Sequence, residues 1–229
     1  MKNVGNEIFD MDVKYENFPI EELECDRQTL IRVLIDASSS MHGYQNIMED
    51  SLISFKNSII NSKEKDEMLI AKTVFASAVD HSGYQLIDDF DTAYNANGST
   101  SLYDAIVEAK EKLVAGNGNG YMETLDDNGI KTKGVIAIFS DGFDNNSRAT
   151  ANDAKKAIEY LKNKEIIVAF VAFGDEAKGI ADDLGIIKEN ILEVDATESD
   201  LRKVFMILSK SAISASKSTN VSSNTFFTV

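Results

Sequence analysis

Disulfides, zinc sites and membrane spans are set aside by what this chain lacks. Its 229 residues hold one cysteine, Cys25, so no internal disulfide can form; a lone thiol reads first as a small hydrophobe. The only histidines are His42 and His81, and no histidine or cysteine pair is available to build a zinc site. No stretch approaches the roughly 18 apolar residues that span a bilayer. Met1 to Asp10 lacks a basic segment followed by an apolar run, so no secretory signal is read and a soluble, cytoplasmic protein is expected. Basic residues are scarce: 23 Lys and Arg stand against 38 Asp and Glu, a net charge of -15. Such a chain repels phosphate backbones and anionic membrane surfaces and attracts cations, so neither nucleic acid nor membrane is expected as a partner.

What is present suffices for a packed core. Hydrophobic residues make up 43% of the chain and aromatic residues 8%. The pattern divides it into an acidic arm over 1–28, one domain over 29–212, and a Ser/Thr-rich tail over 213–229 whose Phe226 and Phe227 read first as an anchor on the domain and second as a partner motif. Short apolar runs alternate with stretches of helical spacing. Strands are expected over 31–36, 68–76, 83–90, 134–140, 166–173 and 191–194. Helices are expected after Gly43 and over 102–114, 151–163, 176–184 and 199–212. A turn at Asp80-His81-Ser82-Gly83 makes the second and third strands a hairpin, and residues 116–132 read as a flexible loop. Strands alternating with helices imply an α/β fold, a mostly parallel central sheet with one antiparallel edge strand and helices on both faces.

Three segments carry oxygen donors at strand–helix junctions: Asp36-Ala37-Ser38-Ser39-Ser40, Gly98-Ser99-Thr100-Ser101-Leu102 and Ser140-Asp141-Gly142. In an open parallel sheet, the crevice beyond the carboxyl ends of the strands is where ligands bind. Hydroxyls and carboxylates with no nitrogen or sulfur suit a hard cation, Mg²⁺ first, with Mn²⁺ or Ca²⁺ as alternatives. If the carboxylates act partly through water, a cation held by neutral hydroxyls stays electron-poor and favours an anionic oxygen from outside, such as a Glu or Asp of another protein. That is binding chemistry, and it needs neither nucleophile nor general base.

The set Asp36-x-Ser38-x-Ser40, Thr100 and Asp141, with Val33-Leu34-Ile35 before it and Gly98 to Ala105 and Phe139-Ser140-Asp141-Gly142 around it, resembles the metal-ion-dependent adhesion site (MIDAS) of von Willebrand factor A (vWA) domains. The resemblance covers about 28–212. It implies a Rossmann-like three-layer fold, metal ligation by Ser38 and Ser40, direct ligation by Thr100 when a partner is engaged, and Asp36 and Asp141 acting largely through water. It is nearest to bacterial intracellular vWA proteins such as those of tellurite-resistance clusters, and so implies a protein partner such as an AAA+ ATPase, kinase or phosphatase. Ser39 stands where the family often has glycine. Asp104 reads as a helix-dipole partner or an acceptor behind the site, 144–147 as a turn and cap, and His42 as solvated. Two rivals remain: a metal-dependent phosphoryl-transfer or hydrolytic enzyme, which lacks an Asp at position 38 and any GxxxxGK[ST] loop, and a structural subunit that needs no metal.

Overall fold

The structure, a computed structural model, describes residues 16–116, 118–194, 197–217 and 226–227. The central strand β1 (Arg27–Asp36) is buried at every position after Arg27. An unbroken run of that kind is stable only where both faces and both edges are covered. β1 pairs in parallel with β2 (Met68–Phe75) on one side and β5 (Lys131–Ser140) on the other. The described sheet has seven strands. The order is β3 (Val79–His81), β2, β1, β5, β6 (Ile167–Phe173), β7 (Ile191–Val194), with β4 (Gln85–Leu86) also on β2. β3 and β4 are antiparallel to β2 and the other neighbours are parallel.

Side chains alternate across the sheet and split the core in two. Leu30 and Leu34 of β1 face α2 (Leu102–Leu113), α3 (Tyr121–Asp127), α4 (Ala151–Asn163) and α5 (Asp175–Asp183). Ile31, Val33 and Ile35 face α1 (Gln45–Ile60) and α6 (Glu198–Lys217). The result is the expected three-layer α/β sandwich. Phe226 and Phe227 are buried in the second core, and the Phe226 amide donates to Asn190 Oδ1 at 2.6 Å.

Four expectations need correction. The chain reverses at Ala76–Ala78, where Ala76 N donates to Ala78 O, and 79–81 pairs back on β2. The expected strand over 83–90 is only the two-residue β4 followed by a 3-10 turn at Ile87–Asp89. The expected loop over 116–132 contains α3, which Glu123 supports by accepting the amides of Gly116, Gly118 and Gly120; Tyr121 and Leu125 alone make too short a period to announce a helix. α6 runs to Lys217, past Ala212, because Ser211 and Ser216 are buried rather than marking an end. The arm over 1–15 and the tail positions 218–225 and 228–229 lie outside the described residues. Among the described residues no helix is long and apolar enough to cross a membrane.

Cys25 is half-buried and belongs to neither core. Burial, with Glu67, Asp66, Asp26 and Glu24 around it, pushes its thiol up, away from the reactive thiolate.

Candidate metal centre

The strand order fixes where a crevice forms. From β1 the chain leaves through α1 on one face, and from its neighbour β5 it leaves through α4 on the other. The loops after β1 and β5 therefore diverge and leave a cleft at their carboxyl ends. Asp36 closes β1, Asp141 directly follows β5, and the register sets Ile35 beside Phe139.

Asp36 is fully buried. Its Oδ1 accepts the Ser38 amide at 2.9 Å, and its Oδ2 accepts the Ser140 hydroxyl at 2.6 Å. The first bond turns the chain after the strand and brings Ser38 and Ser40 together, with their Oγ atoms 3.0 Å apart. Burial pushes the Asp36 carboxyl up to about 6. The bonds from Ser140 and Ser38 pull against that shift, and the nearby Asp141 carboxylate adds to it. The two acids thus sense each other across the cleft. Behind them the Tyr94 hydroxyl donates to the Asp36 carbonyl at 2.7 Å, and burial followed by the charges of Asp36 and Asp141 raises that phenol too.

The second loop is sewn to the first. Ser39 N donates to Gly98 O at 3.0 Å, Gly98 N to Ser39 Oγ at 2.9 Å, and Asn97 N to Ala37 O at 2.7 Å. Ser39 thus holds the second loop with its side chain, which a glycine there could not do. It opens a 3-10 turn, Ser39–Tyr44, and Glu165 is the only described non-glycine residue at positive φ, so the serine is unstrained. Gly98 itself lies at φ +102, where a side chain would be strained.

The third loop is sewn to the second. Thr100 N donates to Asn145 Oδ1 at 2.9 Å, and Asn145 N and Asn146 N return to Thr100 O at 3.1 and 3.0 Å. The first-turn amides of α2, which have no partner inside the helix, are taken by the same loop: Tyr103 N by Asp144 Oδ2 and Asp104 N by Ser147 Oγ, each at 3.0 Å. Asp104 reciprocates by accepting the amides of Arg148 and Ala149. Asp104 and 144–147 therefore brace the loops. Asp175 and Glu176 open α5, and His42 is exposed on the 3-10 turn.

The structure thus sets Asp36, Ser38 and Ser40 in direct contact, buries Thr100 on the adjoining loop, and leaves the partly exposed Asp141 within electrostatic reach of Asp36. Sequence reasoning placed Ser140 in a donor segment without a role of its own and missed Tyr94. Ser140 adjoins a candidate acid and had a local signal, whereas Tyr94 lies 58 positions from Asp36 and had none. Among the described residues no cluster of three or more His, Cys, Asp or Glu is placed to hold a metal; donors here are mainly hydroxyls. Two oxygens bound at adjacent corners of an octahedron about 2.05 Å from a cation sit roughly 2.9 Å apart. The 3.0 Å between the serine hydroxyls fits that spacing.

No protein-family model matches the chain, and no curated protein does. Solved structures do. The pilus adhesin SpaC from Lactobacillus rhamnosus GG, in an open conformation, is 11% identical with a TM-score of 0.65 over 88% of this chain and 31% of that one. Proximal thread matrix protein 1 of the mussel byssus, solved with a zinc-occupied MIDAS motif, is 16% identical with a TM-score of 0.58 over 83% and 47%. The VWA domain of SpRpn10 is 12% identical with a TM-score of 0.52 over 77% and 93%. The chain spans about a third of the length of the adhesin and about half of the byssus protein. At these identities the likeness concerns the fold. Its strand order, its helix layers and these likenesses give the chain the von Willebrand factor A fold.

Proposed function

We propose that the chain is a metal-dependent protein-binding module in which Ser38, Ser40 and Thr100 hold a divalent cation, with Asp36 and Asp141 acting from behind it. The observation that carries this reading is the serine pair: two hydroxyl oxygens 3.0 Å apart, held by a buried carboxylate. That separation, a hydrogen bond in the free protein, suits adjacent oxygen ligands of Mg²⁺ or Mn²⁺ and also neighbouring equatorial ligands of a seven-coordinate Ca²⁺. The byssus protein with zinc in its MIDAS motif supports a divalent ion on this fold.

The bound ion would supply a Lewis-acidic open position. This chain's own residues do the rest. Asp36 orients the serine loop through the Ser38 amide and is itself oriented by Ser140. Asn145 and Asn146 fix the backbone of Thr100 so that its hydroxyl stays with the second loop. Neutral hydroxyls leave the open position attractive to a carboxylate, so the partner offers a Glu or Asp side chain.

Calorimetric titration with Mg²⁺ and Mn²⁺ tests the first half; no binding at millimolar ion sinks it. Capture from lysate with and without EDTA, followed by replacement of the implicated Glu or Asp in the recovered partner, tests the second. Turnover of phosphate esters or nucleotides that disappears in Asp36→Ala would favour the enzyme instead.

A further inference from the structure

Among the described residues three large apolar side chains are exposed: Ile53, Phe143 and Met206. Ile53 and Met206 lie midway along α1 and α6. Phe143 alone stands at the candidate site, two positions after Asp141, and is 51% exposed. Single exposed apolar residues are common and by themselves mean little. What distinguishes Phe143 is that the residues on both sides of it are held.

On its N-terminal side Gly142 sits at φ +89, packed so that an added Cβ would come within 2.5 Å of Ala177 Cα. The Phe143 amide itself donates to Asp141 Oδ1. On its C-terminal side the Asp144 carboxylate takes the Tyr103 amide and the Ser147 hydroxyl. A large aromatic ring on a fixed loop loses little further freedom when it is covered, which is what makes an effective binding anchor. Around it the charge balance is set by the cation, and the chain as a whole carries -15. Residues 36–44, 97–101 and 141–150 carry Asp36, Asp141 and Asp144 against one formal cation, Arg148. With a divalent ion bound these loops sum to no net charge, so a second acid gains no further cation here and meets the -15 of the whole chain.

We infer that Phe143 is a specificity-determining contact of this surface, and that it selects a protein segment whose single metal-seeking carboxylate is flanked by a bulky apolar residue and by basic rather than acidic neighbours. This rests on the proposed metal-dependent binding of a carboxylate.

The test is a displayed library of nonapeptides with a fixed central Glu or Asp, selected on the full chain in Mg²⁺ or Mn²⁺ and eluted with EDTA. Selected peptides should carry an aromatic or large aliphatic residue within two positions of the acid and should be depleted in further acids. Phe143→Ala should bind them at least about tenfold more weakly, Phe143→Leu should bind them nearly as the natural chain does, and metal titration should be the same for all three. Metal-dependent selection without an apolar preference, or with one that Phe143→Ala leaves intact, overturns this inference and spares the reading beneath it. A library that yields only EDTA-insensitive binders, or none, overturns both.

Discussion

Replacing Asp36 with Asn should make the metal-free protein more stable while abolishing its response to metal. The carboxylate is fully buried, and burial raises it from its ordinary 3.8 to about 6. The folded state therefore keeps the proton up to about pH 6, whereas the unfolded chain releases it near 3.8. Between those values the folded state holds more protons, so stability from this group is complete at low pH and is lost as pH rises through 6. At about 1.4 kcal/mol per pH unit the loss approaches about 3 kcal/mol at neutral pH. Asn keeps the shape and sheds the charge. Its carbonyl can accept the Ser38 amide, and its amide group can donate to the Ser140 hydroxyl oxygen, which also accepts the Gly142 amide.

For a domain of this size roughly 2–4 °C of melting temperature accompanies each kcal/mol, so the ceiling is a rise of roughly 6–12 °C. Thermal unfolding of both chains in EDTA at pH 7.5 and 4.5 measures it. Asp36→Asn should melt higher at pH 7.5, and the difference should shrink to about a third at pH 4.5 and vanish only below 3.8. With millimolar Mg²⁺ only the natural chain should shift. A variant that melts no higher than the natural chain at pH 7.5, or whose advantage persists unchanged at pH 4.5, would refute the claim that the buried charge is costly.

Other perturbations follow from the same contacts. Mg²⁺ or Mn²⁺ at a hundred times its Kd should stabilise the natural chain by about 2.7 kcal/mol, and Ser38→Ala should remove that gain in calorimetry and in melting alike. Gly142→Ala forces a side chain at φ +89 against Ala177 and should lower stability by at least about 1 kcal/mol in denaturant titration. Burial holds His81 below its ordinary 6.5, with Arg32 and Lys112 acting the same way and Glu108 opposing; its contribution to stability is present above 6.5 and is lost as pH falls, so His81→Gln should flatten the acid limb of the stability profile. Phe226→Ala empties a buried site in the second core and should cost about 3–5 kcal/mol if that core closes around it as it does around α6, read from urea midpoints.

The layers were legible because they rest on local periodicity. β1, β5 and β6 are nearly continuous apolar runs, α4 begins at Ala151 behind a Thr150–Asp153 capping box, and both signals survive without tertiary information. The reversal at Ala76–Ala78 and the helix α3 were not legible. The reversal runs through Ala-Ser-Ala with no glycine or proline to mark it, and α3 rests on glycine amides gathered by one glutamate. The donor residues could be picked out at strand ends, yet their mutual bracing could not. Ser39 illustrates the gap: in sequence it is only a departure from a common glycine, while in three dimensions its hydroxyl receives Gly98 N.

The same bracing bears on what the site can do. Each of the three loops is tied to the other two, by Ser39 and Gly98, by Thr100 with Asn145 and Asn146, and by Asp36 with Ser140. A buried acid pushed to about 6 is unfavourable unless something offsets its charge. Ser38 and Ser140 offset part of it, and Asp141 adds to the strain. A divalent cation near the serine pair would offset more of it, in exchange for the hydrogen bond the two hydroxyls now share. On that argument the cost of burying Asp36 in the free protein and the affinity for metal have one origin. A variant that gains stability at Asp36 should lose binding in the same step, and a variant that gained both would break the link.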